Sequence, residues 1–356
     1  MTSPASSRRA VVVGTGLIGG SIGLALRGEG WHVTGHDEDA ARAARALELG
    51  ALDVVGADAG AALTFVATPV QAIPAAARDA LAGGGVVTDA GSVKASVVAA
   101  VDSPRFVGGH PMAGSEQEGV DGARPDLFAG AVWVLTPTSE TDPDAHALVR
   151  SVVKSFGADV VELPPERHDA LVAVVSHVPH LTAATLMSLA AEGAEEHRAM
   201  LRLAAGGFRD MTRIASGHPG IWPDICEANR DAIVRALEDL TTTLRKVQDI
   251  VAAGDRASLL DVLERARSAR VNLPPRVASI ADMAEVRVPV PDRAGVLAEV
   301  TTLASELGVS IADFEIAHSA EGQAGVLLIV VPVDSVERFT GGLIARGYRS
   351  SWRTLE

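Results

Sequence analysis

Near the N-terminus, Gly14-Thr15-Gly16-Leu17-Ile18-Gly19 follows the apolar run Ala10–Val13 and opens a helical pattern that continues to about Arg27. In a chain with 35 glycines such a spacing arises by chance; a strand directly before it and a helix directly after it give it meaning. The first glycine permits the tight turn, the second lets a phosphate approach the main chain, and the third lets the helix close on the strand. Unpaired N–H groups and the positive dipole end at the helix start complete an anion site. The segment therefore predicts a dinucleotide-binding turn, with Gly14, Gly16, Leu17, Ile18 and Gly19 against the cofactor. A second strand, His32–His36, ends at Asp37, where a carboxylate would hold ribose hydroxyls and repel a 2′-phosphate, favouring NAD over NADP. The same Asp37 could instead cap the helix expected from Glu38 to about Leu49.

Strands and helices go on alternating. Ala62–Ala67 leads into a helix at Thr68-Pro69-Val70, and Val86–Asp89 into another at Gly91-Ser92-Val93-Lys94. Arg105–Gly109, Val132–Thr136, a helix over Pro143–Phe156 and Asp159–Leu163 complete the layer. This order implies a Rossmann-like α/β domain over residues 1–163, a parallel sheet with helices on both faces. Ligands of such sheets lie beyond the carboxyl ends of the strands, where Asp37, Thr68, Pro69, Ser92 and His110 fall. His110 belongs to Gly108-Gly109-His110-Pro111-Met112-Ala113-Gly114-Ser115-Glu116. Pro111 holds it in extended geometry, and Gly109 and Gly114 allow close approach of a ligand. By itself, a histidine before proline is a turn residue. The convergence of four strand ends makes it a candidate base, since an imidazole with an ordinary pKa of about 6.5 can accept a proton near neutrality.

From 164 to 273 strand-like runs vanish and helical periodicity takes over, with Leu171, Val174, Val175 and Val178 expected on one helix face. Ser176 and His180 stand four residues apart, on one face unless Pro179 kinks the helix. Gly206-Gly207-Phe208-Arg209-Asp210-Met211-Thr212-Arg213 sets two arginines at the same spacing, either a solvated face or a pair of forks for the carboxylates of a small diacid. Trp222 and Asn229 follow, with a long helix expected over Pro223–Ala253. A proline linker, 274–283, leads to a βαββαβ pattern over 284–356: strand Ala284–Val288, helix Gly295–Leu307, strands Val309–Ala317 and Gly325–Val331, helix Ser335–Ala345 and strand Tyr348–Arg353. That order is ferredoxin-like. Its first loop, with Asp292, Ala294, Gly295, Val296 and Leu297, leads to a helix N-terminus suited to an amino-acid carboxylate, which points to regulation; a structural or dimerising appendage is the alternative.

Composition excludes other classes. A net charge of −14, from 31 basic and 45 acidic residues, opposes nucleic-acid binding. One cysteine, Cys226, allows no intrachain disulfide, fits a reducing compartment and is expected to be a small buried apolar residue. Arg8-Arg9 looks like an export signal, but the apolar run behind it breaks at Gly14. No uncharged stretch is expected to reach the roughly 18 residues of a membrane span, so the expectation is a cytoplasmic protein with no membrane partner. No cluster has metal-ligand spacing, so no metal is expected.

Taken together, the Gly14–Gly20 loop, Ala67-Thr68-Pro69-Val70, Thr88-Asp89-Ala90-Gly91-Ser92-Val93-Lys94, Gly109–Glu116, Ser176–His180 and Gly206–Arg213 with Trp222 resemble prephenate dehydrogenase over nearly the whole chain. The tail resembles an ACT domain, although Ala294 stands where proline often precedes the loop glycine. The resemblance implies NAD-dependent oxidative decarboxylation of prephenate to 4-hydroxyphenylpyruvate in tyrosine biosynthesis. It implies His110 as base, Ser92 orienting its ring or the nicotinamide, and Arg213 clamping a substrate carboxylate. Arg209, His180, Ser115 and Trp222 would shape the pocket, and Asp169 would pair with Arg209 to control access. A homodimer through the helical domain and an amino-acid effector such as tyrosine also follow from it. Arogenate dehydrogenase, a β-hydroxyacid dehydrogenase and a non-catalytic NAD and amino-acid sensor are the alternatives.

Overall fold

Strand β1 (Arg9–Val13) is apolar on both faces because both are covered: Ala10 and Val12 pack with Ile22, Leu26 and Phe65, while Val11 and Val13 pack with Ile73, Val87 and Val97. The computed structural model describes residues 8–115, 117, 119–196, 203–272, 283–291, 293, 295–318 and 324–355. The chain divides into two units, Met1–Asp261 and Val262–Glu356.

In the first unit β1 is followed by α1 (Leu17–Gly28), β2 (His32–His36), α2 (Ala40–Glu48), β3 (Val54–Val55), β4 (Leu63–Val66), α3 (Ile73–Leu81), β5 (Val86–Asp89), α4 (Ala95–Ala100) and β6 (Phe106–Pro111). Next come β7 (Val132–Thr136), α5 (Pro143–Ser155) and β8 (Asp159–Glu162). The sheet order is β3-β2-β1-β4-β5-β6-β7-β8. Its neighbours are parallel with one exception: β7 runs antiparallel to β6, with Gly109 opposite Leu135 and His110 opposite Val134. A parallel return needs a crossover helix. Among the described residues between β6 and β7 there is a single short turn, Val120–Gly122, so the chain comes back the other way, and the expected parallel sheet carries one antiparallel pairing at this strand.

The helical part of this unit comprises α6 (Pro165–Val172), a π-helical turn at Ala173–His177, α7 (Val178–Glu196), α8 (Gly206–Thr212), α9 (Trp222–Ala228) and α10 (Arg230–Ala253). The π turn winds wider than an α-helix and alters the expected face. It buries Ala173 and His177 and turns Val174 and Val175 outward, 59% and 66% exposed, while Val178 stays buried. The helix expected over 223–253 also breaks, at Asn229 (φ −113°, ψ 29°), whose amide is drawn to other partners. Pro165–Glu192 is long and apolar enough to cross a membrane, which the sequence reading denied: between Asp169 and Glu192 no charged side chain occurs. Cys226 is only partly buried, and that burial pushes its thiol pKa up.

α11 (Arg256–Val271) crosses the boundary between the units. The second unit continues with β9 (Met283–Pro291), α12 (Val296–Glu306), β10 (Asp313–His318), β11 (Ala324–Pro332), α13 (Val336–Ala345) and β12 (Ser351–Thr354), in an antiparallel sheet ordered β10-β11-β9-β12. Alternate residues of β9, Ala284, Val286 and Val288, face Val300, Leu303, Phe339 and Leu343. β9 runs on through Pro289 and Pro291, past the expected end at Val288. β12 pairs only with Ala284–Arg287, so beyond that point one edge of β9 is open and tolerates the missing N–H groups. The expected linker residues Leu273, Pro274, Pro275 and Arg276, and also Glu116, Asp292 and Ala294, lie outside the described residues.

The ends of β5 and β6 are tied by a fully buried ion pair between Lys94 and Asp89. Asp89 also accepts N–H bonds from Gly91 (2.9 Å) and Gly109 (3.0 Å), and Lys94 Nζ donates to the Gly109 carbonyl at 2.7 Å. Burial lowers the Lys94 pKa, and Asp89 opposes that shift. Removing one member strands the other charge, so Lys94→Met is expected to destabilise the protein by about 3–5 kcal/mol, read as a lower urea midpoint at unchanged m-value.

Candidate active site

The glycine turn at the end of β1 is shaped for a phosphate. Gly14 has φ +86°, and a Cβ there would lie 2.7 Å from the Ala67 carbonyl; a Cβ on Gly19 would strike the Gly14 carbonyl. At Gly16 nothing lies within 4 Å of the same position, so its main chain is open to a ligand. Gly16 also caps α1 without any side-chain bond, and no acidic residue occupies the first turn, so the helix N-terminus is free for an anion. Leu17 and Ile18, partly buried, form that turn. Next to it, the Thr68 hydroxyl is buried without a partner, and Pro69 is exposed. An open backbone cradle, an uncapped helix and an orphaned hydroxyl fit a dinucleotide.

Asp37 ties this turn to β2. Its Oδ2 accepts the Thr15 N–H at 2.7 Å and the Thr15 hydroxyl at 3.2 Å, and its Oδ1 the Asp39 N–H at 3.0 Å. Asp39, which bonds the Ala41 N–H, is the cap of α2, so the capping role weighed for Asp37 falls to its neighbour.

His110 occupies the fifth position of β6 and is buried, with 8% of its surface exposed. Its Nδ1 lies 2.8 Å from Nε2 of His168 on α6, and Nδ1 of His168 lies 2.7 Å from Oδ1 of Asp169. Asp169 accepts the backbone N–H of Lys94 on Oδ1 and that of Ala95 on Oδ2, both at 2.8 Å. From the helix break, Asn229 Nδ2 donates to the Asp169 carbonyl at 2.9 Å and lies 3.2 Å from Nδ1 of His177. Burial holds the His110 pKa well below 6.5, helped by His168, Lys94 and His177. Burial likewise takes His177 to about 4, with Asp169 opposing and His168 reinforcing the shift. Both rings are neutral near pH 7.

The other expected residues fall into two groups. His180 stacks on Trp222 with ring centroids 3.7 Å apart, and His177 meets the same indole edge-on at 6.2 Å; burial lowers the His180 pKa. Arg213 is exposed at the start of the turn Arg213–Ser216, which packs on α7, and Arg209 is exposed with Nε directed to the Ala204 carbonyl at 3.4 Å. Ser115 is exposed and accepts the Gln117 N–H at 3.1 Å. Ser92 is partly buried between β5 and α4, and His168 rather than Ser92 bonds the His110 ring. Asp169 is engaged by His168 and the start of α4, so the expected pairing with Arg209 is replaced.

Sequence reasoning missed His168, and it gave no role to Lys94 or His177. His168 stands directly before an acid that had been singled out, and that adjacency was the available signal. Lys94 carried a different one: a lone cation following an apolar strand must find a buried partner or leave the core.

Comparison with known proteins bears on the family. The family description "Prephenate dehydrogenase, nucleotide-binding domain" matches residues 22–162, and "Prephenate dehydrogenase, dimerization domain" matches 164–265. The prephenate dehydrogenase of Bacillus subtilis is 35% identical over 337 residues, covering 90% of this chain and 91% of that one. Among solved structures, prephenate dehydrogenase from A. aeolicus in complex with hydroxyphenyl propionate and NAD+ superposes with TM-score 0.71 at 29% identity, over 76% of this chain and all of that one. Synechocystis arogenate dehydrogenase superposes with TM-score 0.66 at 30% identity, over 74% of this chain and 99% of that one. An eight-stranded nucleotide-binding sheet, a buried histidine at the end of β6 and these matches place the chain in the prephenate dehydrogenase family.

Proposed function

We propose that this enzyme carries out the NAD-dependent oxidative decarboxylation of prephenate to 4-hydroxyphenylpyruvate, in tyrosine biosynthesis. The observation that carries the reading is a neutral His110, buried at a strand end of a dinucleotide-binding sheet, with one ring nitrogen left for substrate. NAD, when bound, accepts the hydride from the ring carbon bearing the 4-hydroxyl. Gly14, Gly16, Gly19 and the first turn of α1 would hold its pyrophosphate, Asp37 would favour the unphosphorylated ribose, and Thr68, Pro69 and Ser92 would contact the rest of the dinucleotide.

His110 Nε2 takes the 4-hydroxyl proton as that oxygen becomes a carbonyl, and returns it once loss of the ring carboxylate has made a phenolate. The thermodynamic drive, aromatisation, lies in the substrate. Arg213 anchors a carboxylate by a bidentate contact; Arg209, Ser115 and the stacked His180 and Trp222 shape the pocket. Likeness to an arogenate dehydrogenase supports a second reading, the same chemistry on a ring that carries an amino group in place of the keto oxygen.

The reading takes the domains as 1–163, 164–273, a linker at 274–283 and 284–356. The strand order of the last is that of a ferredoxin-like unit and supports an ACT domain. Its loop 292–297, at the start of α12, would receive an amino acid such as tyrosine. The middle domain pairs two copies: Val174 and Val175 stand exposed, and an apolar cavity of about 570 Å³ opens beside them among Val174, Val178, Leu186, Met211, Ile214 and Leu240. A cytoplasmic location completes the reading.

Initial-rate NAD reduction with prephenate and arogenate side by side, with and without tyrosine, tests the activity; no NADH from either substrate would refute it. His110→Ala is expected to lower kcat by about 10²–10⁴ with little change in KM, and Arg213→Ala to raise KM at least about tenfold. Because the lowered His110 pKa keeps the base neutral as pH falls, the acid limb of kcat/KM is expected below pH 6.5. Val175→Asp is expected to convert the dimer to monomer in light scattering.

A further inference from the structure

We infer that His168 is the positioning residue that fixes His110 in the tautomer a base requires, with Asp169 fixing His168 in turn. The inference rests on the reading of His110 as the base. A carboxylate only accepts hydrogen bonds, so His168 Nδ1 carries the proton directed at Asp169 Oδ1 over 2.7 Å. In a neutral His168 the other nitrogen, Nε2, is then a lone pair. The 2.8 Å contact therefore makes His110 Nδ1 the donor, and leaves His110 Nε2 bare.

Histidine in water favours the opposite, Nε2-protonated tautomer. Without His168, most of the His110 population would present a proton where the substrate hydroxyl must deliver one. When Nε2 does take that proton, the His110 imidazolium keeps its Nδ1–H on a lone pair whose own ring is polarised by Asp169. The proton moves from the substrate oxygen to His110 Nε2, and His168 and Asp169 keep theirs throughout. The support behind the chain is rigid. Asp169 is held at both oxygens by the Lys94 and Ala95 N–H groups and at its carbonyl by Asn229, while Lys94 is anchored to Asp89 and Gly109. His168 is fully buried, so no water competes for its nitrogens.

Two buried rings in contact could also be packing alone, and three readouts separate the cases. His168→Phe fills the space without an acceptor, whereas His168→Gln returns an amide oxygen close to where Nε2 stood. In the full-length enzyme with prephenate, His168→Phe is expected to lower kcat about 100-fold or more while KM for prephenate and NAD moves less than about threefold, and His168→Gln to recover at least about tenfold of the loss. In mildly alkaline buffer, the ¹H–¹⁵N correlation spectrum of histidine-labelled wild type, with the His110 signals assigned by their loss in His110→Gln, is expected to show His110 protonated at Nδ1.

A His110 protonated at Nε2 would overturn the inference. So would His168→Phe with full kcat, a loss confined to KM, or a loss that His168→Gln does not relieve. The spectrum needs neither variant of His168 to fold. It also needs no substrate, so a protein inactive on prephenate and arogenate would refute the activity, whereas an Nε2-protonated His110 in an active enzyme would refute the placement of His168 alone.

Discussion

The site is built on the Lys94 ammonium held against Asp89 inside the protein, out of reach of water. An isolated charge at that depth would not be tolerated, and the surrounding bonds explain why this pair is. Asp89 takes N–H groups from Gly91 and Gly109, and Lys94 spends a second donor on the Gly109 carbonyl, so both backbone groups of the residue before His110 are fixed by one pair of side chains. The Lys94 N–H reaches Asp169 on α6. One lysine thus joins β5, β6 and the first helix beyond the sheet, and His110 inherits its position from that junction.

Glycine is required where this junction is tightest. A Cβ on Gly109 would press on the Asp89 carbonyl and the Thr88 hydroxyl, and one on Gly108 would strike the Thr136 hydroxyl. The sequence reading took Gly109, together with Gly114, as room for a ligand; Gly108 was given no such role. Gly108 and Gly109 are instead room for the neighbouring strands, which pack so closely that His110 is the first residue of the segment able to carry a side chain toward the site.

Local patterns were legible wherever the period of the chain matched its partner. β2, β5 and β7 fall where apolar runs placed them, since short buried strands bounded by turn residues have few alternatives. The glycine turn was legible because its three glycines answer three separate steric demands. Less was visible where a tertiary contact overrides local preference. Nothing in the spacing of Ala173–His177 signals a π turn, which pays off only when His177 finds Asn229 and Trp222. Asn229 breaks a helix for bonds to residues 60 and 52 positions away. The direction of β7 depended on the short turn that stands, among the described residues between 111 and 132, in place of a crossover helix. His168 was hidden for the same reason: its partners come from β6 and from its own neighbour, and only the fold brings a second imidazole to the first.

The stretch from Ala170 to Ala191 is the remaining constraint, because an uncharged helix with exposed valines must be covered by something. A bilayer is a poor cover for it. The segment carries His177 and His180 in mid-run, one bonded to an asparagine and both packed on Trp222, and it is interrupted by a π turn and Pro179. A lipid-facing helix would have to abandon those polar contacts or drag their partners with it. A second protein surface asks for less: Val174 and Val175 already face outward from one side while the histidines stay turned to the site on the other. The π turn achieves that division, giving one short segment a polar inner face toward Asn229 and Trp222 and an apolar outer face.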